Sequence, residues 1–158
     1  LDSAHRKAML SAAGYFNEVA MGNLGVTYMN RGLVGTALET WLLGLSVKKD
    51  YDVCWYNLGA ALRSRGPINF NYLPMLMTHI PQAVIQQAVS EPIKAHLRLS
   101  RYCIEQAVTS KLSHFRERWE GELKELDTLL AKTPEELIAM STPSAPTVIS
   151  TSVKAVGT

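Results

Sequence analysis

Asn23-Leu24-Gly25 and Asn57-Leu58-Gly59 recur 34 residues apart, and that recurrence decides how the chain folds. Two doublets, Arg31-Gly32 and Arg65-Gly66, repeat at the same distance. A motif that returns in one register marks an internal repeat, and a period in the thirties marks stacked helical units. Tyr28, Ala37, Trp41 and Gly44 lie between the markers. Gly25 and Ala37 are small, and Leu24, Tyr28 and Trp41 are large. Leu58 and Gly59 take the places of Leu24 and Gly25 in the second unit. Gly32 is suited to end a helix, since a left-handed cap costs glycine little.

This pattern resembles the tetratricopeptide repeat family, in which each repeat is a helix–turn–helix. The resemblance implies that Gly25 and Ala37 lie where two antiparallel helices approach closely, with Leu24, Tyr28 and Trp41 as the large partners around them. It also implies that Gly44, where the family usually has alanine, leaves room for the next unit's first helix. The resemblance covers one whole repeat, residues 18–51, and the first helix of a second, residues 52–65. Lys49 stands where the family often has proline, which predicts a less rigid turn at Lys48-Lys49-Asp50. The likeness fades after Gly66, where Pro67, Asn69, Asn71 and Pro74 occupy the expected start of a second helix. The expected architecture is all-α, with antiparallel helix pairs stacked as a short solenoid and followed by an extended C-terminal tail. The boundaries are a leading helix in residues 1–17, repeats in 18–66, further helices in 67–140 (degenerate repeats or a cap), and the tail in 141–158.

Within the third segment, Gly66 to Pro74 reads as a loop, and Pro81 starts or kinks a helix reaching about Ser90. Ser90-Glu91-Pro92 has the residues of a helix start, with Ser90 as the capping hydroxyl. Leu112, Phe115, Trp119, Leu123, Leu126 and Leu130 form one apolar stripe at helical spacing. Arg118–Glu122 and Glu120–Lys124 are set to pair along its exposed faces. Thr133-Pro134-Glu135-Glu136 opens a last short helix.

The tail has eight Ser or Thr and two Pro in residues 141–158, too little apolar surface to offset its ordering entropy. Thr147-Val148-Ile149-Ser150-Thr151-Ser152-Val153 is nevertheless rich in β-branched residues, which suit it to add a strand to a neighbour or lie along one.

Composition narrows the function. The 158 residues are 47% apolar and 19% charged, with a formal net charge of +2. Such a balance excludes a strongly basic nucleic-acid binder, and no apolar run is long enough for a membrane span. The low charge predicts a surface partly covered by other proteins. No phosphate-cradling glycine motif and no GxSxG is present, and nothing supplies a nucleophile, a base and an orienting group together. The expectation is a protein that is not an enzyme and carries no cofactor. His5, His79, His96 and His114 form no ligand pair, and His96 with Cys103 would be too few ligands for zinc. Cys54 and Cys103 read as buried hydrophobes. Lys94, Arg98 and Arg101 share a helical face that could meet phosphate, although Arg101 can pair with Glu105.

The family resemblance implies a concave groove lined by the first helices. Its outward residues would be Gly22, Val26, Met29 and Asn30, then Val53, Tyr56, Asn57, Ala60 and Arg63. The partner-binding candidates are Val26, Asn30, Tyr56, Asn57, Ala60 and Arg63. The repeat core comprises Leu24, Gly25, Tyr28, Ala37, Trp41, Leu58 and Gly59. Chaperone-docking members of the family clamp a terminal carboxylate with a lysine and an asparagine. Gly22 and Val26 stand in those places, which disfavours a carboxylate clamp, although Asn57 matches its next element.

The resulting expectation is a non-catalytic interaction scaffold, an accessory subunit of a large organellar multiprotein complex, peripheral to a membrane complex. A component of an RNA-containing assembly such as an organellar ribosome, and a transient assembly factor or co-chaperone, are the alternatives. The chain opens on Leu1, which reads as an excerpt or a processed precursor. The second reading points to a mitochondrion or plastid, with the cytoplasm as the other compartment.

Overall fold

A computed structural model describes Ala4, His5, Ala8 and residues 17–64, 70–110, 115–140 and 148–150. The leading helix lies outside the described residues except for helical Ala4, His5 and Ala8, as does the Arg65-Gly66 doublet. Eight α-helices follow: α1 (Glu18–Asn30), α2 (Val34–Val47), α3 (Asp52–Ser64), α4 (Leu73–Leu76), α5 (Gln82–Val89), α6 (Ala95–Thr109), α7 (Arg116–Leu130) and α8 (Pro134–Met140). Among the described residues there is no strand, and the fold is all-α. None of these helices is long and apolar enough to cross a membrane.

The first pair forms as its residue sizes require. Asn17 caps α1, its side-chain oxygen accepting the Ala20 N–H at 2.8 Å. At the other end Gly32 has φ +77°, the Leu33 N–H bonds the Tyr28 carbonyl at 3.0 Å and the Gly32 N–H bonds that of Met29. These two bonds make a Schellman cap, open to Gly32 because it has no Cβ. The chain reverses, and α2 lies antiparallel on α1. Trp41 is fully buried, and its indole N–H donates to the Gly22 carbonyl at 3.0 Å. A Cβ on Gly25 would collide with that indole. Of the other expected core residues here, Ala37 is buried, Tyr28 packs against the core while half-buried, and Leu24 is half-buried.

The turn into α3 is fixed from outside. Trp55 donates its indole N–H to the Lys49 carbonyl at 2.8 Å, and the Tyr51 N–H bonds Lys48. Gly44 then leaves the space in which α3 docks, since a Cβ there would sit 2.7 Å from Cys54 Sγ and 3.1 Å from Met21 Cβ. Every residue of α3 from Asp52 to Leu62 is buried, so this helix is the centre of the molecule.

The partner of α3 arrives late. No long helix follows it directly, and α3 pairs most extensively with α6. Gly59 repeats the role of Gly25, because a Cβ on it would lie 2.8 Å from Ile104 Cγ1 and 3.0 Å from the Ser100 carbonyl oxygen. Ser100, also buried, donates its hydroxyl to the Gly59 carbonyl at 2.7 Å. Leu58 is fully buried beside it. The intervening segment is not the simple loop that Gly66 to Pro74 predicted. Phe70–Tyr72 is a 3-10 turn and α4 follows at once, with Pro74 in its first turn where no donor is needed.

Three other details differ from or extend expectation. Ser90 closes α5, its hydroxyl donating to the Gln87 carbonyl at 2.7 Å, instead of capping the next helix. Pro92–Lys94 forms a 3-10 turn before α6. Thr133 and Glu136 form a reciprocal capping box on α8, with bonds of 3.1 and 3.3 Å.

Candidate peptide-binding face

The face expected to be an open groove is largely covered by the chain itself. Along α7, Trp119 and Leu126 are fully buried, and Phe115, Leu123, Leu129 and Leu130 pack against the core. The stripe brings Trp119 face to face with Tyr56 of α3, ring centroids 4.7 Å apart and planes 10° from parallel. Phe115 extends the stack at 5.1 Å from Trp119. The Tyr56 hydroxyl donates to Glu122 at 3.1 Å. Burial and the adjacent Glu122 carboxylate push that hydroxyl above the usual tyrosine range. Glu122, expected to pair along its own helix with Arg118, reaches across to α3. Arg63 sits 3.1 Å from Glu125 and 4.0 Å from Glu122. Tyr56 and Arg63 are therefore committed to α7, and neither is open to an incoming chain in this arrangement.

The remaining candidates divide. Val26 and Ala60 are buried, as are Met29, Val53 and Gly22, where an added Cβ would meet Tyr51, Val53 and Cys54. Asn30 is exposed at the end of α1. Asn57 is the residue with a ligand. Its amide N–H donates to the Ile149 carbonyl at 2.8 Å, and its carbonyl oxygen accepts the Ile149 N–H at 2.6 Å.

In an extended chain, the N–H and C=O of one residue point to the same side, as they do toward a neighbouring antiparallel strand. Asn57 supplies both complements from a single planar amide, so one helical side chain does the work of a strand residue. The arrangement also solves a local problem. Asn57 has no exposed surface, and a buried amide without partners would cost about 1–3 kcal/mol.

One residue on, the Ser150 hydroxyl donates to Asn23 Oδ1 at 3.1 Å. Val148 and Ile149, both half-buried, pack against the core. The two asparagines of the repeated triplets thus hold consecutive residues of the tail. Sequence reasoning named Asn57 but passed over Asn23, although the shared register was the available signal. Residues 141–147 and 151–158 lie outside the described set.

The cationic face is engaged within the chain. Lys94 donates to the Leu130 carbonyl at 2.9 Å, Arg98 meets Glu91 at 2.7 Å, and Arg101 meets Asp127 at 2.6 Å and Glu105 at 2.7 Å. Cys54 and Cys103 are buried, and burial pushes both thiols well above their ordinary range, away from the thiolate form. Among the described residues, no three His, Cys, Asp or Glu side chains are grouped to hold a metal ion. Burial lowers His96 to about 4. No protein-family model matches the chain, and neither a curated protein nor a solved structure matches it significantly.

Proposed function

We propose that this chain is a non-catalytic interaction scaffold, a divergent tetratricopeptide-like stack of helix pairs that serves as a subunit of a multiprotein complex. The observation that carries the reading is the Asn57–Ile149 pair, because it is an extended polypeptide backbone bound on the helix face that the repeat register assigns to partners. The stacking part of the proposal draws on Gly25 and Gly59, which meet α2 and α6 by the same close approach. In this view α6 completes the second pair, and α7 begins a third against Tyr56 and Arg63.

The RNA-assembly alternative is weaker, because Lys94, Arg98 and Arg101 each already meet an acceptor within the chain, and phosphate affinity needs several unpaired cations. A mitochondrial or plastid home and a place beside a membrane complex rest on the sequence alone.

The test is purification of the native chain from its source through a salt wash and a nuclease step, with mass spectrometry of what remains. A fixed stoichiometry with one set of polypeptides supports the subunit reading. Loss in the salt wash makes the chain a transient factor, and loss on nuclease treatment makes it part of an RNA assembly.

A further inference from the structure

The tail is held by groups that a different polypeptide could also present, a backbone N–H, a backbone C=O and a hydroxyl. Residues 148–150 sit on the face through two bonds to Asn57, one to Asn23, and two half-buried side chains. The segment joining them to α8 is built of Ser, Thr, Ala and Pro, a composition that does not order itself. A segment on a tether of that composition can leave the face and return to it. Tethering assists the bound form through an effective concentration on the order of millimolar.

Chemically, the site asks little of its occupant. Asn57 reads one N–H and one C=O on the same side of an extended chain, so any residue except proline satisfies it. Asn23 accepts a hydroxyl from the next residue. Residues 151–158 continue beyond Ser150, so the Asn57 clamp reads an internal peptide unit and not a terminal carboxylate.

We infer that the Asn23–Asn57 face is an exchangeable docking site for an internal extended segment of another polypeptide, with two β-branched residues followed by Ser or Thr, and that residues 148–150 occupy it as a tethered competitor. The inference rests on the reading of this face as an interaction surface. A segment arriving in trans displaces the tail by making the same three hydrogen bonds together with contacts of its own. Displacement leaves the helices unchanged, because residues 148–150 contribute no turn or cap to the described helices.

The test uses the full chain and a fluorescent peptide of residues 145–153. In wild type the tail competes with the peptide. In Ile149→Pro the tail loses the N–H that Asn57 receives, and the face is freed for the peptide. The expected result is peptide binding about tenfold tighter to Ile149→Pro than to wild type, following the effective-concentration argument. A peptide carrying the same proline substitution should bind neither protein, a control that leaves the folded chain untouched. Adding Asn57→Ala to Ile149→Pro should remove the gain.

Equal affinity for wild type and Ile149→Pro, or no binding to either, overturns the inference. So does a wild-type chain that forms dimers lost in Ile149→Pro, since the tail would then be exchanged between copies. The native co-purification result is independent of these outcomes, so a failed clamp and a failed subunit assignment remain distinguishable.

Discussion

The α1/α2 pair and the α3/α6 pair use one packing device at two very different sequence separations. In the first, Gly25 admits Trp41, and the indole is tied back to the Gly22 carbonyl. In the second, Gly59 admits Ile104 and Ser100, and the Ser100 hydroxyl is tied back to the Gly59 carbonyl. Each pair thus joins a glycine on one helix to a donor on the other, which satisfies a helix carbonyl at the close approach. The first pair closes across a three-residue turn, while the second closes across α4 and α5. What the repeat preserves is a surface on the first helix, and any helix with the complementary shape can complete it.

That comparison can be broken most forcefully at Trp41. Trp41→Ala deletes a fully buried indole and its bond to Gly22, and should cost about 3–5 kcal/mol in chemical denaturation. A cost below about 1 kcal/mol would mean that the α1/α2 seam is not closed by this residue.

The second pair is sharpened by Gly59→Ala, which should cost about 1–3 kcal/mol because the Ser100 backbone cannot easily move away from the new methyl group. In a double-mutant cycle with Ile104→Ala, the combined cost should fall short of the sum by at least about 1 kcal/mol. Additivity would show that α6 is not the helix that fills the space above Gly59.

Acid should bear on the second pair through His96, which lies in α6. Burial lowers His96 to about 4, and its Nδ1 is buried with no hydrogen-bond partner among the described residues. The folded state therefore holds the neutral ring, while the unfolded chain takes up a proton near pH 6.5. The stability contribution is complete above pH 6.5, falls as pH drops from 6.5 toward 4, and is gone below that. After discounting for partial exposure, the difference between wild type and His96→Leu should change by about 1–2 kcal/mol across this window, read from urea midpoints. A pH-independent difference would contradict the placement of His96.

The smallest expected effect is at the join between α3 and α7. Tyr56→Phe keeps the stack on Trp119 but removes the bond to Glu122, and should cost about 1 kcal/mol. A neutral result would leave the stacked rings as the whole of that contact.

Much of this was legible in the sequence because it is local. The triplets, Gly32, Gly44 and Trp41 lie within two helical hairpin lengths of one another, so residue size, register and the family resemblance together pointed to their roles. The stripe from Phe115 to Leu130 announced a packed helix for the same reason. It could not announce Tyr56 as the surface covered, since an apolar face specifies that it will be buried and not against what. The pairing of α3 with α6 was hidden similarly, because an intervening segment leaves no mark on the period of either helix. At the candidate site, β-branched residues marked the tail and the repeat register marked Asn57. Joining them required coordinates, since a two-bond amide clamp across 92 positions has no sequence spacing of its own.

The central claim is that Asn57 holds the backbone of the tail, and amide hydrogen exchange at Ile149 tests it most directly. The account predicts that the Ile149 N–H exchanges more slowly in wild type than an unprotected amide of the same local sequence, and that Asn57→Ala restores free exchange there while α3 and α6 remain protected. An Ile149 N–H that exchanges at the unprotected rate in the intact wild-type chain would contradict it.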